Sequence, residues 1–323
     1  MKGWRGIVSF FKGGRSKEVR IVRECARLRA NRPKGSKVVA VRSRKVQRQW
    51  GNLVKSEVER MLDWAITQLI GAKSPERGWE MLFGRGDVVA IKVNCIAGPA
   101  LSSHPLIVEV ICERLQGAGV RAENIYIYDR SSRELVRSGY SLNRTGQGVR
   151  AHGTDGDYGP VTESHSWRGR ISNILRRATA LINVPILKDH GIAGVTLALK
   201  NHLGTCDNPA SLHPNHGDPG IAHLNAHPEI AEKTRLIVCD ATRAVYSGGP
   251  RFRPRFSWTP NMIVVSTDPV ALDSFGLEVI EKARRRAGLS PATPRAGHIR
   301  TAGRLGLGVA DLSKVRIITE EFG

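Results

Sequence analysis

The sequence predicts an α/β protein built on a mostly parallel sheet with helices on both faces. Two observations lead to this fold class. Short continuous apolar runs alternate with segments whose apolar residues recur at helical spacing, the pattern of strands that crossover helices bury on both faces. Polar residues also follow directly after several of the apolar runs, where open α/β sheets bind their ligands.

The predicted strands and helices begin at Lys37. Strands are expected at residues 37–42, 87–94, 124–129, 178–185, 234–240 and 261–267. A helix over residues 56–71 carries an apolar stripe and ends at Gly71, and a second opens at Ser103-His104-Pro105. A third is expected over residues 268–288, with Asp268 as its N-cap and Pro269 in its first turn.

Charge divides the chain into a leader and a body. Residues 1–60 hold 18 Lys and Arg against four acids, a net charge of +14, whereas the whole chain carries +21. We therefore predict a basic leader over residues 1–36 and an α/β domain over residues 37–323. The domain could divide into lobes at residues 37–180 and 181–323, with a cleft between them.

The basic leader leaves several interpretations open. It is either a solvated tail or a basic helix that lies on an anionic surface or on the protein's own body. Binding to nucleic acid is a further interpretation, for which the leader has the charge but no recognition motif. Neither an export signal nor an apolar run long enough for a membrane span is recognised, so a cytoplasmic protein is expected. The five cysteines are scattered singly, which argues against a Cys-ligated iron–sulfur cluster.

Polar residues near the predicted strand ends indicate a ligand-binding cleft. Lys92 and Asn94 lie in IKVN, and a lysine in a buried strand needs a partner or ligand for its ammonium group. The segments PILKDH and LALKNHLG add further candidates for catalysis, which are Lys188, His190, Lys200 and Asn201. Gly249 in YSGGP and Asp268 after another strand are further candidates for substrate binding.

Six of the ten histidines fall between Lys188 and Pro228. Imidazoles on irregular loops suit a divalent transition metal, and an aspartate could add a carboxylate. The candidate ligands are His190, His202, His213, His216 and Asp240. No fixed ligand spacing is present, so metal-free acid–base chemistry, anion binding and structural roles stay open, and the cofactor is unknown. Surface or capping roles are expected for His223 and His227.

Several segments together resemble an uncharacterised family, domain of unknown function family number 362. They are DVVAIKVN, INVPILKDHGIAGVTLALKNHLG, LIVCDATRAVYSGGP and STDPVALD, and the resemblance covers about residues 37–318. Here the motif reads Lys188-Asp189-His190 where the family often has threonine in the middle, and His202 follows Lys200-Asn201. The resemblance marks Lys92, Asn94, Lys188, His190, Lys200, Asn201, Asp240, Gly249, Pro250, Asp268 and Asp273. It also implies an association with iron–sulfur proteins and redox partners, without assigning a reaction.

Three functions follow from these residues. The first is an enzyme that binds a small carboxylate or phosphate, with lysines supplying charge, Asn94 and Asn201 orienting the substrate and His190 transferring a proton. The second is a redox or metal-handling accessory protein without turnover. The third is a binder of anionic surfaces or nucleic acid that acts through residues 1–60.

Overall fold

The computed structural model describes residues 35–48 and 51–323. The strands are β1 (Lys37–Ser43), β2 (Val89–Lys92), β3 (Ile125–Tyr128), β4 (Arg150–Ala151), β5 (Tyr158–Ser164), β6 (Trp167–Ser172), β7 (Ala180–Asn183), β8 (Ile186–His190), β9 (Gly194–Thr196), β10 (Thr234–Val245), β11 (Ser257–Trp258), β12 (Met262–Ser266) and β13 (Arg316–Phe322). The helices are α1 (Lys55–Ile70), α2 (Pro75–Leu82), α3 (Pro105–Gly117), α4 (Ser132–Arg137), α5 (Asn173–Arg177), α6 (Ala198–Asn201), α7 (Gly220–Asn225), α8 (Pro228–Ala231), α9 (Pro269–Arg286) and α10 (Gly297–Arg304).

One mixed sheet of 11 strands organises the domain, and most of its pairings are parallel. Its main order is β13-β1-β12-β10-β7-β2-β3-β4. Strands β8 and β11 also pair with β10, and β9 pairs with β8. Only the β5–β6 hairpin lies outside this sheet among the described strands. Strand β12 runs antiparallel to both β1 and β10, whereas β10, β7, β2, β3 and β4 run parallel. The predicted α/β class with a mostly parallel sheet is confirmed.

The two faces of the sheet are covered by separate hydrophobic layers. Along β1, Val38 and Ala40 pack into one layer and Val39 and Val41 into the other, because successive side chains of a strand point to opposite faces. Helices α1, α2 and α3 cover the second layer, while α7, α9 and α10 cover the first. Strands from both predicted lobe ranges belong to this one sheet, and β1 lies between β13 and β12.

The predicted boundaries hold where local signals are strong. Gly71 ends α1 in the left-handed region at φ 72°, which glycine adopts without a steric penalty. The largest difference is in β10, which continues to Val245 because its second half pairs with β8 and β11. The leader prediction for residues 1–34 lies outside the described residues. No helix in the described ranges has the length and apolar content that crossing a bilayer requires.

Asp268 caps α9 as predicted. Its Oδ1 accepts from the backbone N–H groups of Val270 and Ala271, and its Oδ2 accepts from the backbone N–H of Val309 and from the Ser36 hydroxyl. The carboxylate therefore joins the start of α9 to two distant segments of the chain.

We expect Asp268→Ala to lower the free energy of unfolding by about 1–2 kcal/mol, because it removes a cap with additional tertiary hydrogen bonds. Urea denaturation measures this change. Asp311→Ala is the matched control, because Asp311 caps only the exposed turn at Leu312–Lys314 and is expected to cost less. Equal losses in the two variants would contradict the tertiary role of Asp268.

Candidate functional site

A buried ion pair lies at the carboxyl end of β2. Lys92 Nζ donates to Asp129 Oδ1 at 2.8 Å, and Asp129 Oδ2 accepts from the backbone N–H of Cys95 at 2.7 Å. Gly204 passes so close that a Cβ there would come within 2.6 Å of Asp129 Oδ1 and 2.9 Å of Lys92 Nζ. The charge of Lys92 is thus neutralised inside the protein, and a glycine at position 204 permits the close approach.

Asn201 connects the strand ends to one another. Its Oδ1 accepts from Asn94 Nδ2 at 3.0 Å and from Lys92 Nζ at 3.3 Å. Its Nδ2 donates to Asn183 Oδ1 at 2.7 Å, and Asn183 lies opposite Lys92 on the neighbouring parallel strand. These contacts use both ends of the Asn201 amide, so its main role in this arrangement is to hold Lys92 and Asn94 in place.

Lys188 on β8 joins the hydrogen-bonded group formed by Lys92, Asn94 and Asn201. Because side chains alternate along β8, Lys188 and His190 share one face, while Asp189 points the other way and accepts from the backbone N–H of Gly249. Lys188 Nζ donates to Asn94 Oδ1 at 2.7 Å, and Lys188 is fully buried. Burial lowers the pKa of Lys188 to about 7, and Asp129 only partly offsets this shift.

Lys200 is held at the cleft by a short helical turn. Asp273 Oδ1 and Oδ2 accept from the backbone N–H groups of Ala198 and Leu199, which fixes the start of α6. Burial raises the pKa of Asp273 to about 8, although these two hydrogen bonds oppose the shift. Lys200 Nζ lies 3.3 Å from His213 Nε2, and burial lowers the pKa of Lys200 to about 8.

His190 has a defined tautomer. Its Nδ1 accepts from the backbone N–H groups of Ile192 and Ala193, both at 3.2 Å, so the proton of the neutral ring lies on Nε2. Burial, followed by the charge of Lys200, lowers the pKa of His190 to about 3. The predicted role in proton transfer therefore changes: near neutral pH, this ring suits hydrogen-bond donation through Nε2–H better than proton acceptance.

These side chains surround a cleft of about 330 Å³. The lining includes Lys92, Asn94, His190, Thr196, Lys200, Asn201 and His213, with Arg130 and Glu134 among the other lining residues. Thr196 Oγ1 is buried and has no hydrogen-bond partner in the described part of the chain. Neither Lys188 nor Lys200 forms an ion pair with a carboxylate within residues 35–48 and 51–323. The cleft thus offers buried cationic groups and a free hydroxyl.

The five predicted metal ligands do not converge. His202 is directed inward to Asn183 Nδ2 and Thr205 Oγ1, and His216 Nδ1 contacts the backbone oxygen of Ile192. Asp240 lies at another cleft, where it accepts from Thr242 and from the backbone N–H of His104. Only His190 and His213 stack closely, with ring centroids 5.8 Å apart. Across the described ranges, no three His, Cys, Asp or Glu side chains are placed to hold a metal ion.

Two predicted substrate-binding residues have other roles. Asp268 lies outside the cleft as the cap of α9, and Gly249 anchors Asp189 behind β8 while the adjacent Pro250 lines the cleft. Sequence reasoning omitted Asn183, Thr196 and Glu134 from the site. The position of Asn183 at a strand end was a usable signal, whereas nothing local marked Thr196 or Glu134.

His227 takes the predicted capping role: its Nδ1 accepts from the backbone N–H of Glu229 at the start of α8. The ring is nevertheless buried, since Nε2 contacts Thr162 Oγ1 at 3.0 Å. His223 contacts Ser166 through Nδ1 and stacks on His165. Neither of the two predicted non-site histidines is near the cleft lining.

Comparison with known proteins gives one family and distant structural similarity. No curated protein sequence matches the chain significantly. Among solved structures, the lactate racemase apoprotein from Thermoanaerobacterium thermosaccharolyticum aligns at 15% identity and a TM-score of 0.43, over 78% of this chain and 58% of that one. A structural-genomics protein from Thermotoga maritima aligns at 13% identity and a TM-score of 0.40, over 73% and 60%. The chain therefore spans about three fifths of either structure.

The family comparison covers most of the central sheet and the cleft. A family model described as Domain of unknown function (DUF362) matches residues 89–278, which include both lysine-containing motifs and the segment that ends in α9. The match agrees with the resemblance carried by the sequence motifs. The chain belongs to the DUF362 family.

Proposed function

We propose that this protein is an enzyme that binds a small anionic metabolite, a carboxylate or a phosphate, in the cleft beside Lys188 and Lys200. The observation that carries the proposal is that two buried lysines, Lys200 in the cleft lining and Lys188 below it, have no carboxylate partner within residues 35–48 and 51–323. Burying an ammonium group without a counterion is costly, so such a site favours an anion that supplies the missing charge.

The polar groups around the lysines support a specific orientation for the anion. His190 presents Nε2–H, Thr196 presents an unused hydroxyl and Asn94 is fixed by Lys188 and Asn201. Cationic and hydrogen-bonding groups that are fixed in advance stabilise negative charge that develops during a reaction. The cleft volume of about 330 Å³ is suited to a small metabolite.

The cellular setting belongs to the same proposal. Cys95, Cys112, Cys206 and Cys239 are buried and unpaired, which favours a reducing compartment, and we propose the cytoplasm. The alternative function, a metal-handling accessory protein without turnover, requires a bound metal. Elemental analysis of untagged protein therefore tests this alternative separately from anion binding.

We expect Lys188→Met and Lys200→Met each to weaken binding of the anion by at least about tenfold, because a charge-assisted hydrogen bond contributes about 1.5–3 kcal/mol. Mass spectrometry of metabolites that co-purify with the protein identifies candidate anions, and calorimetry then measures their affinities.

Lys282→Met is the control, because this lysine is 63% exposed on α9 and its removal changes the net charge equally. Thermal unfolding of each variant checks that the fold persists. Affinity that is unaffected by Lys188→Met and Lys200→Met in folded protein would refute the proposed site.

A further inference from the structure

The three cleft lysines are not equivalent. Lys92 is paired with Asp129, and the ammonium of Lys188 lies below the cleft against Asn94. Lys200 itself lines the cleft, and its Nζ has the imidazole Nε2 of His213 at 3.3 Å. A buried amine with a neighbouring proton acceptor and no carboxylate is the environment in which a lysine acts as a nucleophile.

Resting on the anion site proposed above, we propose that Lys200 forms an imine with the carbonyl group of a 2-oxo acid bound in the cleft. A 2-oxo acid has two groups that match the two lysines of this site. Its carbonyl carbon is the electrophile for the Lys200 amine, and its carboxylate is the anion that a second cation, Lys188, attracts. Lys188 lies opposite Thr196 in the β8–β9 pair, and Thr196 lines the same cleft as Lys200.

The neighbouring imidazoles complete the chemistry. His190 holds its proton on Nε2 and lines the same cleft, so it can donate a hydrogen bond to the carbonyl oxygen as negative charge develops there. His213 stacks on His190 and lies next to the Lys200 amine, so its Nε2 is placed to carry a proton between nitrogen and oxygen.

The reaction balances without an oxidant or reductant. The lone pair of the neutral Lys200 amine forms the C–N bond, and the C=O π electrons move to oxygen. The nitrogen transfers one proton to this oxygen, which gives the neutral carbinolamine. Its hydroxyl takes a second proton, the nitrogen lone pair forms the C=N bond as the C–O bond breaks, and water leaves. The iminium nitrogen then loses its remaining proton through His213, which replaces the second proton. Two protons move from nitrogen to oxygen, so amine and 2-oxo acid give imine and water.

Burial supports this role because it increases the fraction of reactive amine. The pKa of Lys200 is lowered to about 8, whereas an exposed lysine is almost entirely protonated at neutral pH. The pKa of Lys188 is lower still, at about 7, so Lys188 loses its proton first in the free protein. The carboxylate of a bound 2-oxo acid next to Lys188 would raise the pKa of that lysine, which keeps Lys188 charged while Lys200 reacts as the neutral amine.

Borohydride trapping of the full chain tests the proposal. The protein is incubated with pyruvate, reduced with sodium borohydride and analysed by intact mass and peptide mapping. We expect one reduced adduct per chain, located on Lys200 and suppressed by excess propanoate, which has the carboxylate but no carbonyl. The adduct should be lost in Lys200→Arg and kept in Lys282→Arg. Mapping of the wild-type protein decides the site even if Lys200→Arg fails to fold.

The two proposals fail in different ways. If calorimetry shows that propanoate binds but no adduct forms at Lys200, or if adducts are spread over exposed lysines, imine formation is overturned and the anion site stands. If neither pyruvate nor propanoate binds and no adduct forms, imine formation is again overturned. Carboxylates are then excluded as ligands of the proposed anion site, and phosphates stay as its ligand class.

Discussion

Asp87→Ala is expected to lower the free energy of unfolding by about 3–5 kcal/mol, because it leaves a buried guanidinium without its counterion. Arg235 Nη1 donates to Asp87 Oδ2 at 2.7 Å and Arg235 Nη2 to Asp87 Oδ1 at 2.8 Å, and both side chains are only 1% exposed. Asp87 also accepts from the backbone N–H of Gly84 and from the Thr179 hydroxyl. Removing the carboxylate therefore disconnects three segments of the chain.

Asp63→Ala is the matched control for Asp87→Ala. Arg114 Nε and Nη2 each donate to one oxygen of Asp63 at 2.8 Å, but the Arg114 and Asp63 side chains are 27% and 23% exposed. Solvent can replace the lost carboxylate there, so the cost is expected to be about 1 kcal/mol or less. Urea denaturation compares the variants, and similar losses at both sites would show that burial does not determine the cost.

Affinity for propanoate is expected to fall as the pH rises from 7 to 9. The anion binds the protonated lysines, and burial lowers the pKa of Lys188 to about 7 and that of Lys200 to about 8. Raising the pH therefore removes the charges that the anion requires. Linkage predicts a loss of about tenfold per pH unit once Lys188 titrates, and up to about a hundredfold per unit above pH 8, where both lysines titrate.

Calorimetry at pH 6, 7, 8 and 9 measures this dependence, and propanoate stays charged throughout. Each single variant should keep one of the two decreases in affinity. Lys200→Met should keep the decrease near pH 7, where Lys188 titrates, and Lys188→Met should keep the decrease near pH 8, where Lys200 titrates. An affinity that does not change across this range would mean that neither lysine titrates in the free protein. The proposed source of the binding energy would then be wrong.

The central elements of the fold could be predicted because their signals are local. Apolar runs mark β2, β7 and β12, and Asp268 with Pro269 marks the start of α9. Lys188 and His190 were expected on a short loop after the strand, whereas they lie in β8, where alternation places both side chains on one face. The extension of β10 to Val245 was not predictable in the same way, because its second half is defined by pairing with β8 and β11.

The grouping of histidines was misleading for a physical reason. Consecutive residues in a helical turn point about 100° apart, so Lys200, Asn201 and His202 cannot all face one ligand. The structure directs Lys200 to His213, Asn201 to the strand ends and His202 inward to Asn183. Lys200 and Asn201 therefore line the cleft, whereas His202, the next residue along the chain, does not.

By itself, the sequence determined the α/β class and the family, because these depend on periodicity and motif. Only the tertiary structure decided which charges are compensated: Asp129 neutralises Lys92, whereas Lys188 and Lys200 have no carboxylate partner in the described ranges. It also fixed the tautomer of His190 through two backbone N–H groups. Charge compensation and desolvation depend on neighbours that are distant in sequence, and these neighbours set the chemistry of each group.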